Sequence, residues 1–355
     1  MEDDVEVVRA AVNEPRPRRP QVAPGDFLSS GVHLINLAIS GRANGGYPKG
    51  KYFYLVGDTE SGKTFLTLSA LAEAANNRHF DGYKLVYNGP EGGDQFDTVH
   101  FFGERLLKRI QHVCTPTVEE FYFNLYDTLK ASPTVYVLDS MDSLDSRDDE
   151  AKFLEAKAAH HNGRKVTGSY GMGKARRNSQ DVKRVTYLLR STKSILLVIS
   201  QTRDKVNSGL PFPTKTRAGG RALSFYADCE VWTSVRKRLK KKVGIKDRVI
   251  GSILKVAVEK NRTGYGWHGS VLVPFFPSHG LDDTGASVKY LLEEGHWKKG
   301  SGGVTAPEFT FKGSEEKLIA HIEAEDGERA LHLLAQKVWN GVQDGCAVPR
   351  KRRYH

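Results

Sequence analysis

Cysteine is scarce: Cys114, Cys229 and Cys346 are scattered over 355 residues, and none stands in a CxxC or CxxH spacing. That argues against a cysteine zinc site and a disulfide framework, and an odd set of distant thiols fits a reducing compartment. No apolar run approaches the roughly 20 residues of a membrane helix. The opening stretch MEDDVEVVRAAVNEPRPRRP is acidic, then rich in Pro and Arg. Lacking an apolar core, it is not expected to act as a secretory signal. Internal repeats are absent. Acid is the scarcer charge, with 42 Asp and Glu against 53 Lys and Arg, a formal net charge of +11. That surplus favours a polyanionic partner, nucleic acid ahead of an anionic membrane; the blander alternative is a soluble enzyme with a basic surface.

What is present reads as alternating strand and helix. Residues 1–26 form an expected flexible arm, since EPRPRRP cannot be helical and Pro24-Gly25 closes it. A short helix is predicted between Phe27 and Ser40, then a Gly-rich turn. KYFYLVG (51–57), KLVYN (84–88), TVYVLD (134–139) and SILLVIS (194–200) are strand-like, with helices predicted at 62–77, after Thr117 and at about 178–192. Short β-branched runs separated by helices imply a mostly parallel central sheet flanked by helices. CEVWTSV, GSILKVAVEK and SVLVPFF follow without helices between them, which predicts an antiparallel extension whose first two strands join through a basic turn, RKRLKKKVGIKDR. Residues 278–313 read as loop-rich. Ser314–Trp339 reads as a small C-terminal helical region before the basic tail PRKRRYH. The expected division is an arm (1–26), a core (27–297) and a small C-terminal region (298–355).

The stretch LVGDTESGKT (55–64) carries the chemistry. A glycine-rich turn between strand and helix points several backbone N–H groups at a phosphate, at the positive end of the helix dipole. Gly57, Asp58, Thr59, Glu60, Ser61, Gly62, Lys63 and Thr64 are the expected nucleotide-binding residues, with Lys63 on the phosphate oxygens and the Thr64 hydroxyl on Mg²⁺. Asp139, ending a buried strand, suits the second Mg²⁺ contact, or caps the next turn. Asp142 and Asp145 read as solvated or capping groups. Glu91, among small residues after the second strand, is the candidate for activating water; the alternative is a solvent-facing loop Glu.

These residues, with INLAISGRANGGYPKG before the loop and Leu138-Asp139-Ser140 after it, resemble the RecA family of recombinases from about Phe27 to about Trp297. The resemblance implies a RecA-like P-loop ATPase core and the water-activating role of Glu91. It also implies that Gln201 senses the γ-phosphate, and that Lys260 and Arg262 of Lys260-Asn261-Arg262 reach a neighbouring subunit's nucleotide. GLPFPTKTRAGGRAL (209–223) is similar to the family's second DNA loop, and Ala156–Arg177 to the first. The expected DNA contacts are Arg164, Lys165, Lys174, Arg176, Arg177, Arg203, Lys205, Phe212, Lys215, Arg217, Gly219, Gly220 and Arg221. The cations would neutralise phosphates and Phe212 would stack on bases. The N-terminal segment is shorter than in bacterial members and the region beyond Trp297 matches weakly.

The function implied is a DNA-dependent ATPase using ATP and Mg²⁺. It would form a homo-oligomeric helical filament on single-stranded DNA and promote pairing and strand exchange with homologous double-stranded DNA. The expected setting is the cytoplasm of a bacterium or phage-infected host, at the nucleoid, away from any membrane. The alternatives are a ring-forming motor of the same core, such as a helicase, and a non-catalytic single-stranded-DNA-binding or annealing scaffold.

Overall fold

The computed structural model describes residues 23–92, 97–161, 172–204, 215–217, 220–263 and 269–350. Most of the N-terminal arm and the last five residues lie outside these. The described residues open with a 3-10 turn (Pro24–Asp26), followed by β1 (Phe27–Leu28), α1 (His33–Ser40) and β2 (Tyr47–Pro48), with β1 antiparallel to β2. The helix predicted between Phe27 and Ser40 therefore starts later, because Phe27 and Leu28 are extended. Then come β3 (Lys51–Gly57), α2 (Lys63–Asn76), β4 (Lys84–Asn88), α3 (Thr98–Arg109), β5 (Ile110–Val113), α4 (Val118–Ala131) and β6 (Thr134–Leu138). Two long helices follow, α5 (Arg147–His161) and α6 (Met172–Thr192), before β7 (Ile195–Asp204), β8 (Lys215–Arg217) and α7 (Arg221–Tyr226).

The central sheet runs β5-β4-β6-β7-β3 in parallel, with β9 (Cys229–Val243) parallel to β3 on its other side. From β9 outward it turns antiparallel through β10 (Lys246–Asn261), β11 (Ser270–Phe276) and β12 (Gly280–Leu281). The α/β fold with a mostly parallel sheet and an antiparallel extension is borne out. Its cause is the period of two along each strand. Phe53 and Leu55 of β3 pack with α1 and α2 on one face. Tyr52, Tyr54 and Val56 pack with α4 and α6 on the other.

Three local expectations change. The basic segment between β9 and β10 is strand rather than turn: Lys237–Val243 pairs with Lys246–Ile253, and only Gly244 and Ile245 form the turn. Residues 278–313 hold α8 (Asp283–Glu293) and a sheet of β13 (Lys298–Gly300), β14 (Gly303–Ala306) and β15 (Phe311–Gly313). The Asp282 carboxylate caps α8 by accepting the Gly285 N–H at 2.6 Å. The C-terminal helix is two helices, α9 (Glu315–Ala324) and α10 (Glu328–Gly345), parted where Asp326 takes a φ of 51°. Among the described residues, no helix is long and apolar enough to cross a membrane.

The core meets α10 at a stacked histidine pair. The rings of His33 and His332 lie 4.4 Å apart with planes 8° from parallel. Asp283 accepts the His33 backbone N–H at 2.7 Å and lies 3.0 Å from His332 Nε2. Glu73, Arg42 and Arg329 line the same cavity. Burial, then the neighbouring His332, pushes His33 from its ordinary 6.5 down to about 4, against the opposing pull of Asp283. The unfolded chain therefore binds more protons between those values. Stability from a neutral His33 is present above about pH 6.5 and is lost as pH falls towards 4, by roughly 3 kcal/mol at most. The melting temperature of the wild type should fall more steeply from pH 7 to 5 than that of His33→Phe, which keeps a ring against His332 but cannot titrate. Equal slopes would contradict this.

Candidate functional site

The candidate phosphate loop leaves β3 at Gly57 and enters α2 at Lys63. Two of its glycines have steric causes here. A Cβ on Gly57 would lie 2.2 Å from Thr233 Oγ1 on β9, and Gly62 has a φ of 81° with Leu254 packed over it. The Ser61 hydroxyl bonds the Asp58 carbonyl at 2.7 Å and lies 2.7 Å from the Thr233 hydroxyl, tying the loop to the sheet. Lys63 is 8% exposed. Its ammonium donates to the carbonyls of Gly57 at 2.9 Å and Asp58 at 2.6 Å. Burial lowers its pKa, while Asp139, Asp58, Glu91 and Asp142 pull it back up.

The candidate metal pair is brought into contact. Thr64 Oγ1 donates to Asp139 Oδ2 at 2.6 Å, and the Tyr87 hydroxyl to the same oxygen at 2.9 Å. Burial raises the Asp139 pKa, and these two hydrogen bonds oppose it. The donors are hard oxygens from one carboxylate and one hydroxyl, which suits Mg²⁺ shared with nucleotide phosphates. Among the described residues, no group of three or more His, Cys, Asp and Glu side chains is placed to hold a metal without such help.

Glu91 lies in the turn three residues past the end of β4, and its carboxylate accepts the hydroxyl of Ser140, next to Asp139. Gln201 pairs with Gly57 in the β3–β7 register, so it stands beside the first residue of the phosphate loop. The next residue, Thr202, donates its hydroxyl to Asp58 of that loop and pairs with Arg217 of β8. Asp142 is half-buried, and its Oδ2 accepts the Gln201 N–H at 2.7 Å and the Ser200 hydroxyl at 2.8 Å.

Lys260 and Arg262 stand apart from this cluster. Lys260 is opposite Glu230, which is opposite Tyr54, so it sits two strands sideways and three residues short of Gly57. Standard strand spacings put its backbone roughly 14 Å from Gly57. The Lys260 ammonium bonds the Ser224 and Phe225 carbonyls at the end of α7, and Arg262 bonds the Phe225 carbonyl at 3.2 Å.

The candidate DNA residues divide. Arg164, Lys165, Lys205, Phe212 and Gly219 lie outside the described residues. Lys174, Arg176 and Arg177 are on α6, and Ala156–His161 is on α5, so the segment expected as a first loop is helical at both ends. Lys174 bonds the Asp142 carbonyl at 3.1 Å, and Arg177 is paired with Asp181. Lys215 and Arg217 are on β8; Gly220 precedes α7, which Arg221 opens. Arg176, Arg203 and Arg221 are exposed. Arg217 is paired with the buried carboxylate of Glu230, which also accepts from Ser224 and, at 2.7 Å, from Trp232 Nε1.

Sequence reading missed a cavity of about 470 Å³ beside the loop, lined by Phe65, Phe101, Phe275, Pro277 and Arg238. Arg238 also bonds Glu60 at 2.6 Å. Its place in the basic ribbon, 178 residues from Glu60, gave no local signal.

Residues 112–273, from β5 into β11, match the profile of the RecA N-terminal domain. Protein RecA of Lactococcus lactis subsp. cremoris (strain MG1363) is 27% identical over 274 residues, 77% of this chain and 65% of that protein. Protein RecA of Mycoplasmopsis pulmonis (strain UAB CTIP) is 27% identical over 311 residues, 84% of this chain and 81% of that one. Protein RecA of Lactiplantibacillus pentosus is 29% identical over 278 residues, again 77% and 65%. The chain thus spans about 65% of the length of the Lactococcus relative and more of the Mycoplasmopsis one. The sheet order, the glycine-rich loop and these matches agree: the chain is similar to RecA-family proteins at low identity.

Proposed function

We propose that the protein is a DNA-dependent ATPase that coats single-stranded DNA as a helical filament and promotes homologous pairing and strand exchange. The observation that carries this reading is the path of β7. One strand runs from register with Gly57 of the phosphate loop, at Gln201, into pairing with β8 at the base of the candidate second DNA loop. Nucleotide and DNA would then act on the same strand.

In this reading the loop amides and Lys63 hold the ATP phosphates. Thr64 and Asp139 would hold Mg²⁺, which when bound neutralises charge on the phosphate oxygens. Glu91 orients and deprotonates the attacking water, a role supported by its place beside Ser140 and Asp139. The apolar cavity beside the loop would take the base. Arg176, Arg203 and Arg221 are the leading phosphate contacts on DNA. Arg217 joins them once it exchanges Glu230 for a phosphate.

Lys260 and Arg262 stand apart from the loop of their own chain, on carbonyls at the end of α7, a placement that suits action on a neighbour's nucleotide. A mixture of Lys260→Ala and Lys63→Ala proteins should therefore recover part of the turnover that each lacks alone. No recovery would count against a shared site. Electron microscopy with single-stranded DNA and a non-hydrolysable ATP analogue tests the assembly. Helical filaments are expected; closed rings would point to a motor of the helicase type.

A further inference from the structure

Asp142 has no part in the roles assigned so far, yet three elements of the site meet on it. It is the middle residue of the 3-10 turn Met141–Ser143, just past Asp139. The pairing of β6 with β7 ends at Leu138 and Val198. Beyond that point the Asp142 carboxylate takes the Gln201 N–H at 2.7 Å and the Ser200 hydroxyl at 2.8 Å, as a further strand carbonyl would. Hydrogen bonds to a carboxylate are about twice as strong as neutral ones. The same turn is gripped from its other side. Lys174, in the first turn of the basic helix α6, donates to the carbonyls of Met141 at 3.4 Å and Asp142 at 3.1 Å. Burial lowers the Lys174 pKa, while Asp142, Asp145 and Asp149 favour the ammonium electrostatically and Arg203 opposes it.

We infer that Asp142 is a positioning residue: it holds Gln201 in register with the phosphate loop and links it, through the 3-10 turn and Lys174, to the DNA-facing end of α6. The inference rests on the function proposed above and deepens it. A Lys174 that left the turn's carbonyls for a DNA phosphate would loosen the turn, and Asp142 would carry the change to the Gln201 backbone. Coupling of this kind needs an element with two arrangements that both sites bias. The turn has one partner from each side. Asp142 bonds the backbone of Gln201, so it sets where that residue stands without itself touching a phosphate.

The test uses the full-length wild type, Asp142→Asn and Asp142→Ala. Asparagine keeps one acceptor oxygen and alanine keeps none. Affinity for a fluorescent ATP analogue, melting temperature, and turnover with and without saturating oligo-dT would be measured on each. The expected result is nucleotide affinity within about twofold of wild type, with the DNA stimulation factor reduced about tenfold in the alanine variant, the size of one hydrogen bond to a charged group. The asparagine variant should fall between. An unchanged stimulation factor in Asp142→Ala would overturn the inference. So would a joint loss of melting temperature and nucleotide affinity with no rescue by asparagine, which would leave a structural role only. A wild type without any stimulation by DNA would overturn the proposed function itself, and this inference with it.

Discussion

Replacing Lys63 with alanine is expected to cut ATP turnover by about 100-fold or more, the scale for removing one preorganised charge-stabilising donor. The side chain is buried, and its ammonium is the group on which Asp139, Asp58, Glu91 and Asp142 converge electrostatically. No shorter side chain brings a cation to that point. The loop carbonyls of Gly57 and Asp58 lose this partner, so some stability should go with it, which a melting curve reads separately from turnover. Turnover and nucleotide affinity, with a melting curve as the control for folding, check the result. Unchanged turnover would remove the phosphate-loop assignment.

Glu91→Gln should have an effect of similar size on turnover, about 100-fold or more if the carboxylate deprotonates the attacking water. Its effect on binding should be small. Glutamine keeps an oxygen that can accept the Ser140 hydroxyl, so the loop after β4 retains its anchor on the segment that carries Asp139. The variant should still bind ATP and single-stranded DNA while failing to turn over. Single-turnover hydrolysis beside filter-bound DNA separates the two effects. Wild-type turnover by Glu91→Gln would return Glu91 to the status of an exposed loop residue.

Much of this site was legible in the sequence because its information is local. The candidate phosphate loop is a run of eight residues whose glycines answer to one neighbouring strand and one leucine; Asp139 follows a buried strand directly, and Gln201 follows the apolar run SILLVIS within β7. The strands themselves announced their burial by apolar content and their two-faced packing by alternation. Other parts depend on distant partners. Arg217 reads as a surface cation until Glu230, thirteen residues on, is seen beneath it. Asp142 reads as a cap until β7 arrives, fifty-nine residues later. The Lys- and Arg-rich ribbon of β9 and β10 has poor strand propensity and is held by pairing beyond the core, where propensity is a weak guide. Helix α3 went unread because Gly103, at φ 81° and ψ 164°, breaks its periodicity midway.

The account turns on one claim, that the loop after β3 drives a DNA-coupled ATPase. The direct measurement is ATP hydrolysis by the purified wild-type protein with and without single-stranded DNA, with Lys63→Ala in parallel. The account predicts a strong rise with DNA that is absent from the variant. Tight binding of single-stranded DNA with negligible turnover in either condition would contradict it and leave a DNA-binding scaffold in its place.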